Sequence, residues 1–178
     1  MEPIILRGTR ALSDFRAAAL LERARRLELP SGLSRIDAVY VYLVDAEAPL
    51  AAELWDKTLA LLGALGVHDR GRDGFFVTPR KGTISPWSSK ATDIFHNCGL
   101  DTVRRVERGL WFEVWDDAGQ RLSPVAAQPL FPLLHDRMTQ GVYVDVGDLF
   151  HHRTPAPLRE IDVMGSGRPA LVRANVDM

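Results

Sequence analysis

The chain has 178 residues, of which 46% are hydrophobic and 25% are charged, so it can form one sizeable globular domain with a tail. Its net charge of −1 argues against general nucleic-acid binding, which normally shows as a basic excess. A single cysteine excludes an internal disulfide framework, and charges within the first apolar run exclude a secretory signal. No apolar run approaches the roughly 20 residues of a membrane helix. Together these features predict a cytoplasmic protein.

The first part of the chain predicts a strand followed by a helix. The strand is Pro3–Leu6, which Gly8 is expected to close. Ser13 is a suitable N-cap for a helix that runs to about Leu29. The residues predicted to face inward are Leu12, Phe15, Ala19 and Leu27.

The next part predicts a second strand and helix, and then a third strand. Ile36–Val44 is the clearest strand, because it is rich in β-branched and tyrosine residues, and its weak alternation indicates partial cover of both faces. A helix is predicted from about Leu50 to Leu65, and a polar, glycine-rich loop leads from it to a strand at Gly74–Pro79. The residues of this helix predicted to face the core are Leu54, Leu61, Leu62 and Leu65. Trp55 could lie in that core or at an interface, and the core is favoured.

The stretch Val77–Leu100 carries the densest set of structural signals in the chain. Ser85 and Pro86 predict the cap and first position of a helix, and Gly99 predicts its left-handed end. The predicted apolar stripe of this helix is Trp87, Ala91, Ile94, Phe95 and Cys98. A glycine turn before a hydroxyl-rich helix start also directs backbone N–H groups at an anion, although an ordinary strand-to-helix connection has the same local pattern.

After this helix, two strands are predicted at Thr102–Val106 and Leu110–Trp115, followed by a proline-containing helix that ends near Gln140. The order of elements predicts an α+β fold of two similar halves, with helices packed on one side of an antiparallel sheet. From Val142 the chain has two proline-bearing turns, a GSG sequence and no sustained period, so part of this tail is expected to be mobile.

Four sequence motifs carry a resemblance to a known family. They are LRGTRALSDFR (Leu6–Arg16), GTISPWSSKATDIFHNCGL (Gly82–Leu100) with the following Val106–Gly109, LHDRMT (Leu134–Thr139), and HHRTPAP with GSGRPALVRAN (His151–Asn175). Together they closely resemble the N-terminal region of phosphoribosylformylglycinamidine synthase in its large, single-chain form. The resemblance implies a PurS-like N-terminal domain at 1–141, built from a duplicated α+β unit, and at 142–178 the start of a linker to an absent synthetase domain.

The resemblance also implies a function for the parent enzyme. That enzyme is a glutamine-dependent ligase of purine biosynthesis, which uses ATP to convert formylglycinamide ribonucleotide to formylglycinamidine ribonucleotide. Its ATP, Mg²⁺ and glutaminase sites belong to later domains, so this part is expected to hold no cofactor and no catalytic residue. Its implied partners are the synthetase and glutaminase domains of its own chain, and its implied role is structural and coupling. Because the chain stops in mid-pattern at Ala174–Met178, we expect it to be a fragment.

The surface predicted to serve this role is the start of the central helix, where hydroxyls and a cation surround a tryptophan of the kind enriched at interfaces. The candidate residues for domain docking or ammonia transfer are Thr83, Ser85, Trp87, Ser88, Ser89, Lys90 and Asp93. Two alternatives stay open. One is a stand-alone domain that binds a phosphorylated small molecule at the Ser85 helix start, and the other is a free-standing regulatory subunit. Phe95 and Arg10 depart from the family, which usually has alanine and proline there.

Four further sets of residues are candidate sites. Cys98 and His96 lie two positions apart on a helix and point in different directions, which favours a buried thiol over a nucleophile and base. The spacing of Asp145, Asp148, His151 and His152 matches no metal motif. Neither Lys81–Thr83 nor the GSGRPA sequence has the glycine order of a phosphate loop.

Overall fold

The computed structural model describes residues 2–27, 29, 32–69, 73–151 and 160–176. The strands in these residues are β1 (Ile4–Arg10), β2 (Leu33–Ala46), β3 (Gly66–Val67), β4 (Phe75–Pro79), β5 (Val103–Asp116) and β6 (Gln140–Tyr143). The helices are α1 (Asp14–Ala24), α2 (Ala52–Leu62), α3 (Pro86–Asn97), α4 (Phe131–Leu134) and α5 (Val163–Val176), with a 3₁₀ turn at Gln128–Leu130. No helix among the described residues is both long enough and apolar enough to span a bilayer.

The strand order shows that one topological unit occurs twice. The described strands form one antiparallel sheet in the order β3-β1-β2-β5-β4-β6. The first unit is β1-α1-β2-α2-β3 and the second is β4-α3-β5-α4-β6, and in each unit the first strand lies between the other two. The units meet where β2 pairs with β5, from Leu33 opposite Asp116 to Ala46 opposite Val103. The predicted α+β fold with an antiparallel sheet is therefore confirmed.

The two faces of the sheet are covered differently. Along β2, Ile36, Ala38 and Val44 pack under the helices, whereas Val41 and Leu43 belong to the core of the opposite face. Helices α1 and α4 cover one end of the helical face, and α2 and α3 cover the other. The opposite face is covered by the segment after β6, in which Val146 and Leu149 are buried. This segment follows directly on β6, which lies across the predicted domain boundary at 141/142.

Two glycines predicted to interrupt strands lie inside them instead. Gly8 does not close β1, and Gly109 does not divide β5, which is one continuous strand rather than the two predicted. Both positions are approached closely by neighbouring strands. A Cβ atom at Gly109 would lie 2.7 Å from Cγ2 of Thr78, and one at Gly8 would lie 2.9 Å from the ring of Tyr42. These glycines therefore allow close packing within the sheet.

Several predicted helix boundaries and inward residues are wrong. Helix α1 ends at Ala24, and the predicted helix up to Gln140 is reduced to a 3₁₀ turn and α4. The residues predicted to be inward that are exposed in the structure are Phe15, Ala19, Leu61, Leu65 and Ile94. On α1 the sheet-facing residues are Ala17, Leu20, Leu21 and Ala24. The direction from which the sheet approaches each helix selects the buried stripe, and an apolar residue beside that stripe stays in solvent.

Candidate functional site

The start of α3 is fixed by its own cap. Ser85 adopts an extended conformation, and its hydroxyl oxygen accepts a hydrogen bond from the backbone N–H of Ser88 at 3.0 Å. Pro86 occupies the first helical position, where the absence of an N–H costs nothing. At the other end, Gly99 has a φ of 77°, which is the left-handed conformation expected of a helix-ending glycine. These predictions of the helix ends are confirmed.

A buried carboxylate lies against this helix start. The Glu107 side chain on β5 is only 1% exposed. Its oxygens accept hydrogen bonds from the hydroxyl of Ser85 at 2.8 Å, the backbone N–H of Ser85 at 3.4 Å and the backbone N–H of Arg108 at 2.9 Å. A helix N-terminus favours negative charge, and here the protein supplies that charge itself.

Arg105 completes the network around Glu107. Its guanidinium forms an ion pair with the Glu107 carboxylate at 3.1 Å and donates to the hydroxyl of Ser88 at 3.0 Å and to the carbonyl oxygen of Thr83. The Arg105 side chain is 12% exposed, and its guanidinium carbon lies 5.0 Å from the ring centroid of Phe150. Arg105 therefore ties the turn before α3, the helix and the strand to one another.

The polar residues of α3 cover the free edge of β5. Strand β4 pairs with β5 only as far as Leu110, so the backbone of Val103–Glu107 faces α3. The hydroxyl of Ser88 donates to the carbonyl oxygen of Val106 at 2.5 Å, and the hydroxyl oxygen of Thr92 accepts from the N–H of Val106 at 3.1 Å. One turn further on, a ring nitrogen of His96 donates to the carbonyl oxygen of Val103 at 2.7 Å. This polar stripe satisfies strand groups that would otherwise have no partner.

Trp87 lies in a stack of aromatic rings and a guanidinium. Its ring centroid lies 6.0 Å from that of Tyr42, with an angle of 27° between the ring planes. The guanidinium of Arg108 lies 5.1 Å from the centroid of Trp87 and 5.4 Å from that of Tyr40. Burial raises the pKa of the Tyr42 phenol, and the charge of Arg108 opposes that shift. The Tyr42 phenol therefore stays protonated at neutral pH.

The seven predicted site residues differ in how exposed they are to solvent. Those exposed at the surface are Thr83, Ser89, Lys90 and Asp93. Ser85 and Trp87 are half-buried, and Ser88 is fully buried. The hydroxyl of Thr83 donates to the carbonyl oxygen of Arg80 at 2.7 Å, and that of Ser89 donates to Ser85 at 3.4 Å. Both hydroxyls thus have hydrogen-bond partners within the domain, and their contact with another domain stays a prediction.

Sequence analysis did not select Glu107, Arg105 or Arg108 as site residues. Glu107 and Arg108 lie within the Val106–Gly109 motif, so the motif marked the right place without indicating a role. The strands predicted at Thr102–Val106 and Leu110–Trp115 left Glu107 and Arg108 in the connection between them, so no strand pattern singled them out. Which helix the carboxylate reaches depends on the tertiary structure.

Comparison with models of known protein families gives a match to this chain. A family model described as formylglycinamide ribonucleotide amidotransferase N-terminal matches residues 39–150. This range runs from the middle of β2 to the segment that covers the back of the sheet, and it includes α3 and the whole of β5. The chain belongs to this family. The recognition made from the sequence motifs is thereby confirmed.

Membership of the amidotransferase family connects the domain to an enzyme of purine biosynthesis. The family match contains Ser85, Glu107 and Arg105, so the locked start of α3 lies within the matched range. It does not reach β1 or α1, although α1 forms one wall of the cleft beside Trp87.

The other residue sets weighed from the sequence are not brought together in this amidotransferase domain. Cys98 stands at the C-cap of α3 and is half-buried rather than buried, and the ring of His96 is engaged by Val103. Lys81 forms an ion pair with Asp148. Among the described residues, no three His, Cys, Asp or Glu side chains are grouped as a metal ion would require, and His152 lies outside those residues.

Proposed function

We propose that this domain is a non-catalytic docking and coupling domain of the amidotransferase. In this proposal it holds the synthetase and glutaminase domains in register, and those domains carry out the ligase reaction. The reaction uses ATP and glutamine to convert formylglycinamide ribonucleotide to formylglycinamidine ribonucleotide. In this proposal ATP and Mg²⁺ bind to the other domains, as the family resemblance implies.

The observation that carries this proposal is the rigid attachment of the α3 start to β5. Glu107 binds both Ser85 and Arg105, so the turn and first helical residues are held by buried contacts. Thr83 and Lys90 lie exposed on either side of Trp87. A surface held in this way loses little conformational entropy when a partner binds, which favours docking.

Ammonia transfer is the second part of the proposed role. A domain that contacts both active-site domains fixes the distance and direction between them. The exposed residues Thr83, Ser89, Lys90 and Asp93 would lie at the contact. We propose that this contact closes one side of the route between the glutaminase and the synthetase, so that ammonia reaches the acceptor without escaping into solvent.

The alternative of a phosphorylated ligand at the Ser85 helix start is disfavoured by Glu107. Its carboxylate already accepts the N–H and the hydroxyl of Ser85, and it is buried at the place where a phosphate would bind. Two anions at one helix start would repel each other, and the buried one cannot leave without losing its ion pair with Arg105.

The proposal is tested by comparing two sources of nitrogen in the full-length amidotransferase. Trp87→Ala should lower glutamine-driven synthesis much more than ammonium-driven synthesis, because docking affects transfer and not the synthetase reaction itself. A tryptophan anchor is worth about 2 kcal/mol at an interface, which is a factor of roughly 30. Lys90→Ala should have a smaller effect of the same kind, since an exposed charge contributes about 0–1 kcal/mol.

A matched control is Trp55→Ala. Trp55 lies on α2 and packs in the same core cluster as Trp87, so its removal reports the loss of stability without touching the α3 surface. It should lower both rates equally. If Trp87→Ala also reduces both rates by the same factor, the surface does not couple the two sites and the proposal fails.

A further inference from the structure

Two adjoining clefts beside the start of α3, together called the trough, support a proposal that rests on the docking function above. We propose that this trough binds an extended acidic segment from another domain of the same enzyme, with a carboxylate of that segment on the guanidinium of Arg108. The trough consists of two clefts of about 350 Å³ and about 530 Å³, which share Pro79, Ser85 and Gln140 as lining residues.

The first cleft lies between α1 and α3, at the centre of the sheet where the two repeated units meet. Tyr40, Arg108 and Leu110 are among the residues that line it from the strands. Arg16 lines it from α1, and Trp87 lines it from α3. Helix α1 covers one end of the sheet and α3 covers the other, so these central positions stay accessible.

Arg108 is oriented but not neutralised. Its guanidinium lies over the rings of Tyr40 and Trp87, which favour this position of the group, and the residue is exposed. In the described part of the chain neither Arg108 nor Arg16 forms an ion pair with a carboxylate. The neighbouring Arg105, in contrast, is paired with Glu107. A planar guanidinium that is held in this way matches the two oxygens of a carboxylate.

The second cleft extends the trough towards two exposed apolar side chains. Ile84 is 57% exposed and Met138 is 79% exposed, and both line this cleft. The backbone N–H of Met138 donates to the Asp136 carboxylate at 2.7 Å, which fixes the backbone at this position. Arg16 and Arg108 line the first cleft beside Glu107, whose charge is paired with Arg105, and Arg80 lines the second cleft beside Ile84 and Met138. This excess of positive charge next to exposed apolar side chains suits an extended segment with an acidic and an apolar side chain. A compact small anion would leave the apolar end uncovered.

The occupant can be identified by photo-cross-linking in the full-length enzyme. A benzophenone amino acid at position 84 should cross-link to a peptide of another domain, and mass spectrometry then identifies that peptide. Each Asp or Glu of the peptide is next replaced by its amide. One such variant should match Arg108→Gln, which we expect to lower glutamine-driven synthesis by about tenfold, as loss of a charged hydrogen-bonded pair would.

Combining the two changes separates a direct pair from independent effects. The double variant should be no slower than either single variant, because the interaction is already lost. Arg108→Lys should restore only part of the rate, since an ammonium group keeps the charge without the fork. The matched control is Arg104→Gln, on the same strand, where the guanidinium is paired with Asp45 and does not line the trough.

Three outcomes would overturn the inference. The first is a cross-linked peptide in which no amide variant matches the rate loss of Arg108→Gln, and the second is the absence of any inter-domain cross-link. The third is binding of inorganic phosphate to the trough in place of a peptide. Failure of this inference can be distinguished from failure of the proposed function. If Trp87→Ala selectively slows the glutamine-driven rate while Arg108→Gln does not, docking stands and the acidic segment is excluded. A cross-link with unchanged rates in all variants would exclude both the Arg108 pair and coupling through this surface.

Discussion

The contribution of the Glu107 network to the free energy of unfolding can be measured by replacing Glu107. Glu107→Ala removes a carboxylate that is 1% exposed and leaves the hydroxyl of Ser85 and the N–H of Arg108 without that acceptor. It also leaves Arg105 without its ion-pair partner. Removing one member of a buried pair costs about 3–5 kcal/mol. Arg105 retains its bonds to Thr83 and Ser88 and is 12% exposed, so we expect about 3 kcal/mol, at the lower end.

The loss appears in two assays. Urea denaturation of the 178-residue chain should give a free energy of unfolding lower by about 3 kcal/mol, and thermal unfolding should give a Tm lower by about 6–12 °C. Glu107→Gln keeps an acceptor oxygen and similar volume but loses the charge, so it should cost about 1–2 kcal/mol. The control is Glu113→Gln on the same strand, whose side chain is 23% exposed and pairs with Arg121, and which should cost less than about 1 kcal/mol.

The reasoning is refuted if Glu107→Ala costs no more than Glu113→Gln. A second check is a double-mutant cycle with Arg105→Gln. Because the two side chains are in contact at 3.1 Å, the cycle should show a coupling free energy of roughly 1–3 kcal/mol. Strict additivity would mean that the pair does not hold the helix to the strand.

Two further predictions concern stability. Thr92→Val should cost about 1 kcal/mol in urea denaturation, since it leaves the N–H of Val106 unpaired, whereas the exposed Ser89→Ala should cost little and an equal loss would contradict the edge-covering role. The backbone N–H of Met138, followed by the hydroxyl of Thr139, lowers the pKa of Asp136. Because this folded-state pKa lies below the unfolded one, the stabilisation is present above about pH 4 and is lost as the pH falls through the folded value. The stability difference between the wild type and Asp136→Asn should therefore shrink below about pH 4, and a constant difference would refute the assignment.

Much of the candidate site was predictable because it depends on neighbours in sequence. Ser85, Pro86 and Gly99 set the ends of α3 through local backbone chemistry, and their roles are as expected. The same is true of Ser13 as the cap of α1. Such predictions require only the residue type and its position relative to a turn.

The partners of the polar residues were not predictable in the same way. Ser88, Thr92 and His96 form a stripe at helical spacing, but only the position of β5 shows that this stripe covers a strand edge. Glu107 is one of several charged residues on β5, and only the fold shows that it is the one that meets the start of α3. Hydrogen bonds between groups distant in sequence depend on strand register, which local pattern does not contain.

The sequence by itself determined the family, the α+β class and the local ends of the helix around which the site is built. The tertiary structure decided that Gly8 and Gly109 lie within strands, because cross-strand neighbours there leave no room for a Cβ atom. It also decided that Phe15 lies in solvent while Phe95 lies in the core, because each helix buries only the stripe that meets the sheet. The trough at Arg108 exists for the same reason: α1 and α3 cover opposite ends of the sheet and leave its centre accessible.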